Sequence, residues 1–261
     1  MVVYPNAKIN IGLRVLEKRP DGFHNLETLF YPVKSADILE ITEADKTEMF
    51  LYGLKYPGNP DDNLCMKAYH LLKKEFDIPP VEIHLYKKIP VGAGLGGGSS
   101  DAAFTLKGLN SLFSLHISDT ELARYASMLG SDCPFFIYNI PMLGTGRGEI
   151  LTPCPVKSLK DYTVKLVYPP CFVSTADAYR GILPRNVRAA GGEGLENTPL
   201  PELLSLPVEA WKGRVENDFE KTVFARYPGL EEYKMRLYEQ GAVYASMSGS
   251  GSAMFGLFKN T

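Results

Sequence analysis

Residues 90–101 read Pro-Val-Gly-Ala-Gly-Leu-Gly-Gly-Gly-Ser-Ser-Asp, with five glycines among the seven positions from Gly92 to Gly98. Before this stretch, Val81, Ile83 and Leu85 alternate with Glu82, His84 and Tyr86, which is the period of a strand. After it, Ala102, Leu106, Leu109 and Phe113 recur at helical spacing. A strand that dissolves into glycines and restarts as a helix leaves backbone N–H groups open at a helix N-terminus, where the dipole favours negative charge. Glycine also lets the backbone take positive φ and approach a ligand with no Cβ in the way. The stretch therefore predicts a phosphate cradle. A flexible linker is the competing reading, but a linker has no need of apolar Leu95 among the glycines, nor of a direct run into Ser99-Ser100-Asp101 and a helix.

The common cradles do not fit. Gly92-x-Gly94-x-x-Gly97 has the dinucleotide spacing, but that fingerprint needs a second parallel strand with an acidic residue about twenty positions on, and here one helical pattern follows another. A Walker loop needs Lys before the Ser, and Gly98-Ser99-Ser100 has none. A protein-kinase loop needs His-Arg-Asp and Asp-Phe-Gly downstream, and neither is present.

The first strand pattern lies over Ala7 to Leu16. Ile9, Ile11, Leu13 and Val15 face one way and Lys8, Asn10, Gly12 and Arg14 the other, so Lys8 and Asn10 are neighbours on one face. By spacing alone that face reads as solvated. Pro20-Asp21-Gly22 is a turn, since Pro presets φ and Gly supplies positive φ. Phe23 and His24 follow it, then a strand pattern from Leu26 to Phe30 and two short ones over Asp37–Thr42 and Thr47–Tyr52. Asp61-Asp62-Asn63 offers a helix cap, and Ser118-Asp119-Thr120-Glu121 is a capping box for another helix that stops at Gly130. Asp132 then stands before the apolar run Cys133–Phe136, which reads as a strand. The glycines from Gly144 to Gly148, with Pro153 and Pro155, mark a domain boundary. A strand over Thr163–Tyr168, a helix capped by Ser174 or Thr175, a mobile loop over 184–201, two helices and two strands around Ser248-Gly249-Ser250-Gly251-Ser252 complete the pattern.

Composition narrows the function. A net charge of -2 provides no footprint for nucleic acid, and no apolar run has the length of a membrane span. The start of the chain lacks the charged and apolar regions of a signal peptide. Cys65, Cys133, Cys154 and Cys171 are scattered without a Cys-x-x-Cys pair, so reduced thiols in a cytoplasmic protein are expected.

The glycine stretch resembles the second motif of the GHMP kinase superfamily, Pro-x3-Gly-Leu-Gly-x-Gly/Ser-Ser-Ser, filled here by Pro90, Gly94, Leu95, Gly96, Ser99 and Ser100. Lys8-Ile9-Asn10 resembles the first motif and Ser246–Ser252 the third, in the same order. Arg19-Pro20-Asp21-Gly22-Phe23-His24-Asn25-Leu26-Glu27-Thr28 is similar to the signature of one branch, which uses ATP to phosphorylate the 2-hydroxyl of a cytidine-diphosphate methylerythritol on the non-mevalonate isoprenoid route. The likeness runs through Asp62-Asn63-Leu64, Gly130–Phe135 and Ser174–Tyr179. Phe23 stands where that branch usually has Tyr, which keeps a stacking ring and removes a hydroxyl.

The resemblance implies a two-domain α+β GHMP kinase fold. Residues 1–153 would form an α/β domain with a left-handed βαβ-type, ribosomal-protein-like ATP site. Residues 154–261 would form a ferredoxin-like α+β domain whose sheet is short at its C-terminal end. It implies that Asp132 is the general base, Lys8 its partner and Asn10 an orienting group for the hydroxyl. Pro90, Val91, Gly92, Ala93, Gly94, Leu95, Gly96, Gly97, Gly98, Ser99 and Ser100 would hold the triphosphate, with Ser99 or Ser100 placing Mg²⁺. Asn63, Leu64 and Lys87 would line the adenine pocket. Phe23 and His24 would read cytosine, Phe172 and Thr175 would assist, and Ser248 and Gly249 would approach the substrate phosphates. The implied partners are ATP and the cytidine substrate, with the protein a monomer or homodimer. Another small-molecule GHMP kinase, or a non-catalytic nucleotide-binding protein on the same fold, are the alternatives.

Overall fold

The computed structural model describes residues 1–55, 58–186 and 198–260. These form two units, each assembled from separate segments. The first comprises Met1–Lys8, Pro32–Val91 and Gly96–Ile140; the second comprises Ile9–Tyr31, Gly92–Leu95 and Pro141–Thr261. The glycine and proline spacing draws one linear break after Pro153. The units divide the chain differently because two long strands, β2 (Asn6–Lys18) and β3 (His24–Ala36), run through both.

The first unit is built on a four-stranded sheet of order β1-β4-β6-β5, with β1 at Val2–Val3, β4 at Ile38–Glu43, β5 at Glu48–Gly53 and β6 at Val81–Lys87. Strands β5 and β6 are parallel and joined through helix α1 (Leu64–Phe76), a βαβ crossover that delivers the chain to the glycine loop. Asn63 caps α1 by accepting the Cys65 N–H at 2.9 Å. Helix α2 (Gly97–Leu112) begins inside the glycines, earlier than its apolar stripe indicates. Ala102, Ala103, Leu106 and Leu109 are fully buried, and each leucine contributes roughly 1.5–3 kcal/mol on burial. Helix α3 (Asp119–Leu129) is capped by Ser118, whose Oγ accepts the Glu121 N–H.

Cys133–Tyr138 is a helix, α4, where the apolar run predicts a strand. A short, fully buried run has no period that separates the two, and Pro134 in its first turn favours the helix. Gly144 to Gly148 close a hairpin between β7 (Met142–Thr145) and β8 (Ile150–Pro153), so this stretch is a turn and not a boundary. Strand β2 also differs from expectation: every residue from Ala7 to Leu13, and on to Val15, is buried, so the Lys8–Asn10 face is not solvated.

In the second unit, β2, β3, β7 and β8 form a four-stranded sheet in that order. A second sheet, of order β10-β11-β9, has three antiparallel strands: β9 (Tyr162–Val167), β10 (Tyr244–Met247) and β11 (Met254–Lys259). Helices Phe219–Arg226 and Gly229–Glu239 supply Phe219, Val223, Leu230 and Leu237 to a core shared with Leu13, Val15, Met247 and Met254. The part of the 184–201 loop around Gly191 and Gly192 lies outside the described residues. Among the described residues, no helix is long and apolar enough to cross a membrane.

Candidate active site

In the first unit, Lys8 Nζ lies 3.4 Å from Asp132 Oδ2. Lys8 is only 4% exposed, while the Asp132 side chain is 34% exposed. The placement follows from local structure. Helix α3 stops at Gly130, the Cys133 N–H returns to the Gly130 carbonyl, and Asp132 is left at the N-cap of α4 without bonding that helix's amides. The Lys8 stem runs past Gly96, where an added Cβ would stand 3.1 Å from Lys8 Cε and 2.9 Å from Phe136 Cζ. The candidate base and its cation therefore sit beside the start of α2.

Gly96, at φ +69°, is the N-cap of α2 and offers no side chain to its first amides. The first intrahelical bond is Ser100 N–H to Gly96 carbonyl at 2.8 Å, so the Gly97, Gly98 and Ser99 amides have no helical acceptor. Gly98 is exposed, and a Cβ there would meet only Leu64 Cδ1 at 3.9 Å. Leu64 thus borders this open face. Ser99 bonds the Cys133 thiol, which burial pushes up to about 12. Ser100 Oγ is buried with no hydrogen-bond partner. An orphaned hydroxyl beside open amides fits a hard cation that takes most of its ligands from phosphate and water. Among the described residues no group of three His, Cys, Asp or Glu side chains could hold a metal by itself.

Lys87 is placed differently from its predicted role. Its ammonium is buried between Asp37 Oδ2 at 2.5 Å and Asp101 Oδ2 at 2.6 Å. Burial opposes the charge, but the two carboxylates outweigh it and raise the Lys87 pKa. Burial, with the Asp37 charge nearby, raises Asp101 to about 7 despite Lys87. The Lys87 side chain therefore belongs to the interior, and Asn63 has its side-chain oxygen engaged in capping α1.

In the second unit, Asn10 is buried and donates its side-chain amide to Thr28 Oγ1 at 3.1 Å and its backbone N–H to Ser248 Oγ at 3.3 Å. Ser248 Oγ in turn donates to the Gly94 carbonyl at 2.9 Å. The Ala253 N–H reaches the Ala93 carbonyl at 3.1 Å. A Cβ on Gly249 would come within 3.0 Å of the Gly94 carbonyl, and one on Gly94 would run into the Ser248 carbonyl. The third motif thus packs on residues 92–95 of the glycine loop. Ser248 is a fully buried strut in this arrangement, away from any surface.

The Arg19–Phe23 turn is closed by Arg19 N–H to Phe23 carbonyl and by Phe23 N–H to Asp21 Oδ1. It presents Phe23 at 53% exposure, with the Arg147 guanidinium 4.9 Å from the ring centre. His24 stacks on Tyr179 at 4.8 Å and 22°, and Tyr179 meets Phe219 edge-on. Burial, then the Lys18 charge, lowers the His24 pKa from 6.5. Thr175 Oγ1 lies 3.3 Å from Ser250 Oγ, at the third motif. Phe172 is exposed, and its ring edge covers Gly92, which places it at the glycine loop.

Sequence reasoning passes over several residues that hold these parts. Asn217 donates both side-chain N–H groups, to the Met247 and Gly249 carbonyls, each at 2.8 Å. Glu220 accepts from Ser246 Oγ and the Met247 N–H. Tyr179 supports His24, Thr28 supports Asn10, and Asp37 supports Lys87. Thr28 and Tyr179 lie within stretches that carry the resemblance; the others are single polar residues with no local pattern.

Residues 63–139 match the GHMP kinases N terminal domain family and residues 206–261 match GHMP kinases C terminal. The chain is 52% identical over 262 residues to the 4-diphosphocytidyl-2-C-methyl-D-erythritol kinase of Bacteroides fragilis, covering 99% of this chain and 92% of that protein. It is 46% identical over 258 residues to the enzyme of the same name from Cytophaga hutchinsonii, at 99% and 92% coverage. A crystal structure of a 4-(cytidine 5'-diphospho)-2C-methyl-D-erythritol kinase superposes with a TM-score of 0.80 at 33% identity, covering 100% of this chain and 91% of that one. A homoserine kinase from Cytophaga hutchinsonii, at 20% identity and a TM-score of 0.70, shares the fold.

Proposed function

Because the chain belongs to the 4-diphosphocytidyl-2-C-methyl-D-erythritol kinase family of the GHMP kinases, we propose that Asp132 takes the proton from the substrate hydroxyl while Lys8 holds the charge that develops around it. The reaction transfers the γ-phosphoryl group of ATP to the 2-hydroxyl of 4-diphosphocytidyl-2-C-methyl-D-erythritol, on the methylerythritol phosphate route to isoprenoid precursors. The observation that carries the assignment of roles is the Lys8–Asp132 pair beside Gly96.

A hydroxyl that attacks a phosphorus must lose its proton, and a positioned carboxylate accepts it. The phosphoryl group in flight spreads negative charge over its oxygens, so most of the catalytic work is positioning and charge stabilisation. Lys8 is suited to this because its ammonium is held in place and its stem is buried. The open amides of Gly97, Gly98 and Ser99 would take phosphate oxygens. Ser100 Oγ would hold Mg²⁺, which supplies neutralising charge at the β- and γ-phosphates when bound. Leu64 borders the open edge at Gly98, and in this reading Leu64 and Asn63 would line the adenine end. Asn10, fixed by Thr28, would orient the hydroxyl.

Phe23 offers an exposed ring for cytosine. His24, with its lowered pKa, is neutral at pH 7 and so carries one donor and one acceptor for the base edge. Tyr179 holds the His24 ring at its stacking distance. The cytoplasmic setting belongs to this reading and rests on the scattered cysteines of the sequence.

The test is ATP turnover on three acceptors: the cytidine substrate, methylerythritol phosphate without its CMP moiety, and mevalonate. The reading expects turnover on the first alone. Efficient phosphorylation of either of the others assigns the chain to another kinase of the superfamily, and ATP binding without turnover on any acceptor makes it a nucleotide-binding protein.

A further inference from the structure

Asp37 is fully buried in the first unit, one residue before β4. Its own N–H is fixed to the Pro5 carbonyl at 2.9 Å. Its carboxylate collects three donors from three consecutive residues at the point where β6 leaves the sheet. Oδ1 accepts the Lys88 N–H at 2.5 Å and the Ile89 N–H at 2.8 Å, and Oδ2 meets Lys87 Nζ at 2.5 Å. Lys87 then continues to Asp101 Oδ2 at 2.6 Å, on the helix that follows the loop. A Cβ added to Gly97 would stand 3.4 Å from Lys87 Nζ and 2.9 Å from Ile89 Cγ2. Residues 87–89 enter the glycine loop and residues 97–101 leave it, so one buried carboxylate–ammonium–carboxylate bridge pins both ends.

We propose that Asp37 is a positioning residue for the nucleotide: it fixes the entry of the glycine loop against the N-terminus of α2, and so sets where the Gly97, Gly98 and Ser99 amides stand, without touching ATP itself. The proposal rests on the reading of this loop as the ATP cradle.

Stability alone is a poor reason for such a bridge. Buried ions lose their hydration, and well-packed apolar residues of similar volume serve stability as well or better. The ionic bridge adds direction. Two carboxylate oxygens accepting two neighbouring amides and one ammonium fix an orientation that methyl groups do not. A binding site that works through three backbone amides needs that orientation, because a displacement of about 1 Å costs up to roughly 100-fold in a positioned reaction.

The experiment compares Asp37→Asn, Asp101→Asn and the apolar triple variant Asp37→Leu/Lys87→Met/Asp101→Leu in the intact chain, with KM measured separately for ATP and for the cytidine substrate. Asp37→Asn keeps the volume but sets an amide against the Lys87 ammonium. It should raise the ATP KM about tenfold or more and leave the cytidine KM within about twofold. Asp101→Asn leaves the Lys88 and Ile89 amides clamped and should raise the ATP KM less. The triple variant restores apolar packing without direction, and it carries the test where Asp37→Asn fails to fold: it should be folded by circular dichroism and still show the raised ATP KM. A folded Asp37→Asn or triple variant with unchanged ATP KM, or with both KM values moved equally, overturns the proposal. Gly98→Ala in the same assay separates the two layers. If it raises the ATP KM while Asp37→Asn does not, only the positioning role is lost; if it has no effect, the cradle reading fails first.

Discussion

Lys8 and Asp132 form an ion pair of unequal exposure: the ammonium is almost entirely enclosed, and the carboxylate it meets at 3.4 Å keeps a third of its side chain open. A cation that cannot wander is paired with a carboxylate that stays open to solvent, as the base proposed for an incoming hydroxyl has to be. Each is held by a different element, β2 and the start of α4. If the two act as a unit, their substitutions should not add. Lys8→Met should lower kcat by roughly 100-fold or more, and adding Asp132→Asn should cost far less than the product of the single effects. Independent, multiplicative losses in the double-mutant cycle would separate the two roles.

The glycines of the cradle should respond differently from one another. Gly98→Ala meets nothing nearer than Leu64 Cδ1 at 3.9 Å, so the fold should tolerate it. Any loss of ATP affinity then reports a ligand that needs the space. Gly96→Val combines positive φ with a Cβ against Phe136 and Lys8, and should destabilise the unit by about 1–3 kcal/mol. Thermal melts alongside ATP titrations check both outcomes. A Gly98→Ala protein with wild-type ATP affinity would place the phosphates elsewhere.

His24 should control the cytidine end. His24→Ala should raise the KM for the cytidine substrate with little change in the ATP KM and with much of kcat intact, because a group built to bond one base contributes mainly to binding it. The fold lowers the His24 pKa below 6.5 through burial, so the neutral ring is the native form. Its binding role is present above that lowered value and is lost as the pH falls through it. The cytidine KM of the wild type should therefore rise on acidification below pH 6.5, and the His24→Ala profile should be flatter. Parallel profiles would remove His24 from base recognition.

Asn217 should matter to the third motif through structure. Replacing it with Ala strips the Met247 and Gly249 carbonyls of their buried donors, and a buried unpaired group costs about 1–3 kcal/mol. Asn217→Ala should lower the unfolding free energy by about 3 kcal/mol in urea titration. Less than about 0.5 kcal/mol of loss would show that water or another donor replaces it.

Much of this was legible from residue patterns. The alternation in β2 and β6, the capping box at Ser118, the helix starts after residues 61–63 and 174–175, and the glycine loop each announce themselves within a few residues, while the structure selects Asn63 and Ser174 as the caps. The Arg19–Phe23 turn forms as its Pro-Asp-Gly chemistry requires. The failures share a cause. Cys133–Ile137 is buried on all sides, so its sequence carries no period. The polar face of β2 reads as solvated because burial is decided by elements far away in sequence. Lys87 looks like a ligand contact until Asp37 and Asp101 arrive on either side of it. Asp37 and Asn217 act through partners more than two dozen residues distant, and a single polar residue gives no sign of such a partner.

The central claim is that Asp132 removes the proton from the 2-hydroxyl. Its most direct test is kcat for Asp132→Asn with ATP and 4-diphosphocytidyl-2-C-methyl-D-erythritol, measured on a variant shown by titration to bind ATP as the wild type does. The carboxamide keeps the shape and loses the basic oxygen, so kcat should fall by roughly 100-fold or more. Turnover within a few-fold of the wild type would contradict the assignment and leave Lys8 and the phosphates to manage the proton without a carboxylate.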